Sequence, residues 1–233
     1  MKALVSHKHQ SRVQEIPRPL IGDAELLLQV TACGVCFSDV HKIRFQPLEE
    51  PVVLGHEVTG RVAQSRSAKF RVGDRVVVAH HVPCGRCHYC RHESISMCAQ
   101  FKQTNLNPGG FAEFVRVPAV HVESVAFPIP DGLTNNEASF MEPLGCCVRA
   151  VKRAALQPAD VVVVVGLGSI GLLFVQLVRH AGAECIGLDL DPVRRAFADS
   201  LGATATFAPA ERAFAESLAS LTNGRGADAV FLT

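Results

Sequence analysis

Neither sign of charge dominates this sequence. Its 23 Lys and Arg balance 22 Asp and Glu, giving a formal net charge of +1 and a pI near 7.6. That balance, without a basic stripe, argues against nucleic acid or an acidic membrane as partner. Long apolar runs are missing as well. The opening MKALVSHKHQ lacks the uninterrupted apolar segment of a signal peptide, and no stretch approaches a membrane span. The expectation is a cytoplasmic protein. Repeats and low-complexity segments are absent, and long helical periodicity is hard to find before residue 134. A disulfide framework is disfavoured by the missing export signal, and nine cysteines cannot all pair. What is present is a 233-residue chain, 48% hydrophobic and 19% charged, long enough for one large domain or two modest ones.

Two halves follow different rules. Residues 1–145 hold short β-rich runs broken by turns, among them ELLLQVTA (25–32), EVTGRVA (57–63), DRVVVA (74–79) and FAEFVRV (111–117). Gly73-Asp74 and the prolines at 47, 51, 83, 108, 118, 128 and 130 punctuate them, the pattern of an irregular β domain. From residue 146 to 233 strands and helices alternate. VVVVV (161–165) suits a parallel strand buried on both faces, and SIGLLFVQLVRHAG reads as a helix closed by Gly182. ECIGLDL is a second strand, followed by a helix opened by Asp191 with Pro192 at its first position and Gly202 at its end. TATF, a third helix and ADAVFLT complete a parallel α/β pattern.

GLGSIG sets glycines at 166, 168 and 171 between that first strand and its helix. Gly166 serves the tight turn, Gly168 lets the backbone approach a pyrophosphate, and Gly171 lets helix and strand pack closely. With Ser169 and Ile170 they form a candidate phosphate turn at a helix N-terminus. Asp189, 18 residues beyond Gly171, ends the next strand. An aspartate there accepts from ribose hydroxyls and repels a 2′-phosphate, which favours NAD over NADP. Arg194 and Arg195 could meet a 2′-phosphate instead, or be solvated residues of a helix start.

The cysteines at 84, 87, 90 and 98 have the spacing C-x2-C-x2-C-x7-C. Four thiolates in one loop can close a tetrahedral shell around zinc, and a closed shell leaves no position for substrate. This site should therefore hold a loop, within a lobe at 80–100, rather than catalyse. A second group is less defined by spacing. Cys36, Ser38, Asp39 and His41 follow a strand, His56 and Glu57 are adjacent, and Glu142 lies at the junction of the halves. A cysteine, a histidine and a carboxylate would give the open coordination of catalytic zinc, but the same residues could be packed or surface side chains.

Several motifs in order carry a resemblance across nearly the whole chain: CGVCFSDVH, GHE, GDRV, the cysteine loop, GGFAEFVRVP, EPL and GLGSIG. Together they resemble the zinc-dependent medium-chain alcohol dehydrogenases, in the polyol (sorbitol or L-iditol) and threonine dehydrogenase branch. The resemblance implies a GroES-like β domain joined to a Rossmann domain, two zinc ions per chain, and NAD. It implies that Cys36 and His56 ligate the catalytic zinc, with Glu57 and Glu142 as carboxylates at the metal, one of them ligating directly or through water. Ser38 and His41 match a proton relay, and Asp39 is a partner that orients His56. Arg194 completes the implied coenzyme contacts. The implied reaction is zinc-assisted hydride transfer from a secondary alcohol, with a homodimer or homotetramer expected for a full-length relative.

Departures from the family pattern are Phe37, which would narrow the pocket or make it more apolar, and Glu93 in the lobe. Cys146 and Cys147 read as buried helix thiols, Cys33 and Cys185 as core residues, and His80, His81, His88 and His92 as solvated. Four strands make an incomplete Rossmann sheet, of expected order 3-2-1-4, with the last strand an apolar edge. By resemblance the final third is missing, so the chain alone is expected to be poorly soluble and to have little activity. Two alternatives stay open: a medium-chain reductase without catalytic zinc, and a non-catalytic zinc-binding module.

Overall fold

The β-rich runs of the first half pair into two antiparallel sheets. In chain order the strands are β1 (Lys2–His7), β2 (Gln10–Glu15), β3 (Leu26–Gly34), β4 (Val52–Val53), β5 (Glu57–Ser65), β6 (Arg75–Val78), β7 (Phe114–Val117) and β8 (Ala126–Pro128). One sheet runs β7-β3-β5-β6-β8, the other β2-β1-β4. The computed structural model describes residues 1–233, which divide into two compact units, Met1–Glu142 and Pro143–Thr233. Alternation builds the core of the first unit. Leu26 and Leu28 of β3, Val58 and Val62 of β5, Val76 and Val78 of β6, and Val115 and Val117 of β7 form one cluster, none more than 2% exposed. Each such side chain contributes about 1.5–3 kcal/mol when removed from water.

Register then delivers the chemistry. Irregularities between Leu27 and Leu28, and between Val30 and Ala32, shift β3 against β5 until Gly34 lies opposite Glu57. Cys36 thus leaves β3 beside the His56-Glu57 pair that opens β5. The chain turns there into α1 (Phe37–Phe45), with Cys36 as its N-cap. A lobe follows β6, built from α2 (His88–Arg91), a 3₁₀ turn (Ile95–Met97) and α3 (Ala99–Gln103). The unit closes with α4 (Ala119–Ser124) and α5 (Asn135–Ser139), the latter opened by a reciprocal Thr134–Glu137 cap.

The second unit is entered through α6 (Met141–Ala154). It then alternates β9 (Val161–Val165), α7 (Ser169–His180), β10 (Glu184–Leu188), α8 (Pro192–Ser200), β11 (Ala205–Phe207), α9 (Arg212–Thr222) and β12 (Ala229–Leu232). The sheet is parallel, ordered β11-β10-β9-β12, which is the 3-2-1-4 arrangement read from the sequence. The valine run is buried on both faces. Val162 and Val164 pack with Phe174, Val175 and Val178 of α7, while Val161 and Val163 pack with Phe214 and Leu218 of α9. Asp191 caps α8 by accepting from the Val193 N–H at 2.8 Å, with Pro192 at the first position. At the β12 edge Val230 and Leu232 are exposed. No helix is long and apolar enough to cross a membrane.

Three sequence readings need correction. Cys146 is exposed, because only Cys147 falls on the inward face of α6. Cys33 is half-buried against the sheet core rather than inside it, while Cys185 is fully buried. His80 and His81 are half-buried instead of solvated, since the chain leaving β6 runs beneath the lobe. His88 and His92 are exposed.

Candidate metal centres and dinucleotide turn

The ligand atoms of Cys84, Cys87, Cys90 and Cys98 all lie within 4.8 Å of one another. Cys90 Sγ is 3.9 Å from Cys84 Sγ and 3.5 Å from Cys87 Sγ. Four zinc–sulfur bonds of about 2.3 Å in a tetrahedron separate the sulfurs by about 3.8 Å, so the shell fits zinc. Backbone N–H groups point at the sulfurs: Cys84 donates to Cys98 Sγ and Cys87 to Cys84 Sγ, both at 3.4 Å. The N–H groups of Cys84 and Phe101 hold the Cys98 thiol down at about 6, and those of Arg86 and Cys87 lower Cys84. Burial and hydrogen bonds with the neighbouring thiols push Cys90 up to about 12. A stem closes the lobe. His81 Nδ1 donates to the Thr104 carbonyl at 2.5 Å, and the Val82 N–H donates to Thr104 Oγ1 at 2.8 Å.

A second group forms where β3, α1 and β5 meet: the ligand atoms of Cys36, His56 and Glu57 also lie within 4.8 Å of one another. Asp39, only 1% exposed, braces them. Its Oδ1 sits 3.3 Å from His56 Nδ1, and its Oδ2 accepts the Cys36 N–H at 3.4 Å. Burial alone would raise the Asp39 carboxyl, but His56 and the N–H groups of Gly55 and Cys36 outweigh it and hold it below the usual range. The same contact with Asp39 lifts His56 to about 9 against its burial, aided by Cys36 and Glu142. Glu57 and Glu142 are both raised, first by burial, with Asp39 adding repulsion. Three partly or fully buried carboxylates and a thiol around one imidazole make an excess of acceptors that suits a divalent cation.

Glu142 stands outside the three-residue group, with Oε1 3.9 Å from His80 Nδ1. Its carboxylate still acts on His56 through charge. The His80 ring lies between those of His56 and His81, with centroids 4.6 and 3.9 Å away. Burial, then the charges of His81, His56 and Lys42, lower His80 to about 3, which keeps it neutral. Ser38 and His41 are exposed on α1, and no hydrogen bond joins them. Against Asp39 and His56 lies a cavity of about 510 Å³, also lined by Lys42, His80, His81 and Asn105, which Cys36 and Glu57 do not reach. His80, His81 and Lys42 were not read from the sequence as site residues. The one signal is that His80 and His81 follow closely on the buried valine run of β6.

In the second unit Gly166 adopts φ +92°, and a Cβ on Gly171 would strike the Gly166 carbonyl. Both must be glycine for the turn to pack. A Cβ on Gly168 would meet no atom, so the space in front of the α7 N-terminus is open, as a pyrophosphate cradle requires. Ser169, Ile170 and Gly171 form the first turn of α7, whose N–H groups have no carbonyl partner within the helix. Asp189, 8% exposed, accepts from the Leu167 N–H at 2.7 Å and the Asp191 N–H at 2.8 Å. Burial tends to raise it, but these donors and Arg194, with Nη1 3.7 Å from Oδ2, bring it below the ordinary aspartate value. The Arg195 guanidinium is turned back onto the Asp189 carbonyl at 2.8 Å.

Known proteins share these features. Residues 22–131 match the alcohol dehydrogenase GroES-like domain family, and residues 169–233 match the zinc-binding dehydrogenase family. The chain is 34% identical to sorbitol dehydrogenase from Bacillus subtilis, covering 100% of this chain and 68% of that protein. It is 33% identical to L-threonine 3-dehydrogenase from Alteromonas mediterranea, covering 88% of this chain and 62% of that protein. A solved zinc-binding dehydrogenase from Sinorhizobium meliloti, described as putative and bound to NADP, superposes with a TM-score of 0.79 at 35% identity. That alignment covers 89% of this chain and 61% of the Sinorhizobium chain. The chain therefore spans between 61% and 68% of the length of these three relatives.

Proposed function

The chain belongs to the zinc-binding alcohol dehydrogenase family, and from that premise we propose that it carries the metal centre and coenzyme turn of an NAD-dependent oxidoreductase. The substrate class is a secondary alcohol, either a polyol or an amino alcohol, in line with the sugar alcohol and the hydroxylated amino acid in the names of two relatives. The observation that carries this reading is the convergence of Cys36, His56 and Glu57, braced from behind by buried Asp39. Zinc held by these three residues supplies Lewis-acid polarisation of the alcohol oxygen. A second zinc in the four-cysteine lobe is structural.

The chain's own residues do the rest. Asp39 holds His56 through Nδ1, which fixes the ring and leaves Nε2 for the metal. Glu142 adds a second carboxylate within electrostatic reach of the centre. Ser38 and His41, three residues apart on the exposed side of α1, carry the hydroxyl proton towards solvent. The N–H groups of Ser169, Ile170 and Gly171 and the open face of Gly168 receive the pyrophosphate. Asp189 meets the adenosine ribose and disfavours a 2′-phosphate, supporting NAD, although Arg194 beside it is the residue that would favour NADP.

Metal content tests the reading without relying on turnover. The zinc-loaded chain should hold two zinc ions, and Cys36→Ser should hold one while keeping its far-UV circular dichroism. A single zinc in the unaltered chain, retained in Cys36→Ser and lost in Cys84→Ser, would point to the reductase or zinc-module alternatives instead.

A further inference from the structure

A metal that is to polarise a substrate needs an open coordination position. Cys36, His56 and Glu57 supply three ligand atoms, so a fourth protein ligand would close a tetrahedral shell, as the lobe closes its own. Glu142 is the carboxylate placed to do so. It is half-buried and its charge reaches His56, yet it stands outside the three-residue group. Its neighbour there is His80, with Nδ1 3.9 Å from Oε1.

That nitrogen has no partner. It is sealed from solvent and makes no hydrogen bond, although His80 also lines the cavity of about 510 Å³. A buried polar atom left unpaired is costly. Burial keeps the imidazole neutral, so only one of its nitrogens carries a proton. An ionised carboxylate accepts and cannot donate, which assigns the proton to Nδ1. A movement of about 1 Å brings the pair within hydrogen-bond distance. The backbone of His80 is not free to supply it. The Ala79 N–H donates to the Val125 carbonyl at 3.1 Å, and His121 Nε2 donates to the His80 carbonyl at 2.9 Å. Thr104 then takes bonds from His81 Nδ1 and the Val82 N–H. With the imidazole fixed from both sides along the chain, the carboxylate is the partner that moves.

We propose that His80 is a positioning residue: its Nδ1–H donates to Glu142 and holds that carboxylate beside the metal centre rather than on it. This rests on the reading of Cys36, His56 and Glu57 as a metal centre. It adds what keeps the remaining position open.

The tautomer is tested in the zinc-loaded unaltered chain by long-range proton–nitrogen NMR, with the His80 ring assigned by its absence in His80→Asn. The proton should be on Nδ1, and an Nε2–H tautomer overturns the proposal. Cobalt in place of zinc, with azide as an added ligand, reads the open position. The lobe's spectrum, recorded in Cys36→Ser, is subtracted. His80→Asn sets an amide N–H near the place of Nδ1 and should keep the azide affinity. His80→Gln sets it near Nε2 instead, frees Glu142 to close on the metal, and should lower azide affinity about tenfold, the loss of one hydrogen bond to a charged group. In a Glu142→Gln background the same replacement should change nothing. Unchanged affinity in His80→Gln, an equal fall in His80→Asn, or a fall that persists with Glu142→Gln overturns the role of His80. If a variant fails to load its lobe with cobalt, the tautomer in the unaltered chain decides. Cobalt content separates the two readings. If Cys36→Ser binds as much cobalt as the unaltered chain, the metal centre itself is refuted, whereas a failure confined to the tautomer or to azide refutes only His80.

Discussion

Asp39 shows how one side chain can fix two others. It sits in the first turn of α1, accepts the N–H of Cys36, and faces His56 Nδ1, so one carboxylate sets the geometry of a thiol and an imidazole at once. Asp39→Asn keeps the volume but removes the charge. It should lower zinc affinity at the Cys36–His56–Glu57 centre by about 10- to 100-fold, as measured by competition with a chromogenic chelator. The four-cysteine site should not change, because its donors are all within the lobe. Equal weakening of both sites would mean that Asp39 acts through general stability instead. His80 is a converse case. It adds no ligand to the three-residue group, yet it neighbours both His56 and Glu142, and burial opposes its charged form there.

At the level of elements, Asp189 works as a clasp. It ends β10, accepts from Leu167 in the turn between β9 and α7, and accepts from Asp191 just before α8. Its carboxyl is held below the ordinary value of 3.8, so its stabilising contribution is fully present above that value and is lost as pH falls through the lower folded value. Urea denaturation should find Asp189→Asn less stable than the unaltered chain at neutral pH, with the gap narrowing as pH drops below 3.8. A gap independent of pH would show that shape, not charge, is what matters. These elements were legible in the sequence because their signals are local: a five-valine run, glycines at fixed spacing, an Asp-Pro helix start. The four cysteines could likewise be grouped by spacing. The β1–β2 hairpin was not legible. Its turn residues Lys8 and His9 adopt φ values of 45° and 64°, a mirror-image turn that normally advertises itself with Asn or Gly. Nor were the histidines beneath the lobe, since their burial depends on the return of residues 99–105, which no local pattern at residue 80 records.

For the whole molecule, the two candidate metal groups and the proposed coenzyme turn fall in separate compact units, Met1–Glu142 and Pro143–Thr233. Calorimetry should therefore separate two effects. A strong zinc chelator should lower the transition of the first unit, while NAD at about 100 times its dissociation constant should add about 2.7 kcal/mol to the second. Transitions that moved together under either treatment would contradict the separate assignment. The lobe stem has a consequence of another kind. His81 and Val82 are tied to Thr104 by bonds that involve no sulfur, so the segment between them is a loop whose ends are already joined. Lengthening such a loop costs only about 0.6 kcal/mol for each doubling, and the strands on either side, β6 and β7, are spared the change. The stem makes the lobe a detachable cassette, a place where the chain can gain or lose residues over generations while the five-stranded sheet beside Cys36 and His56 keeps its register.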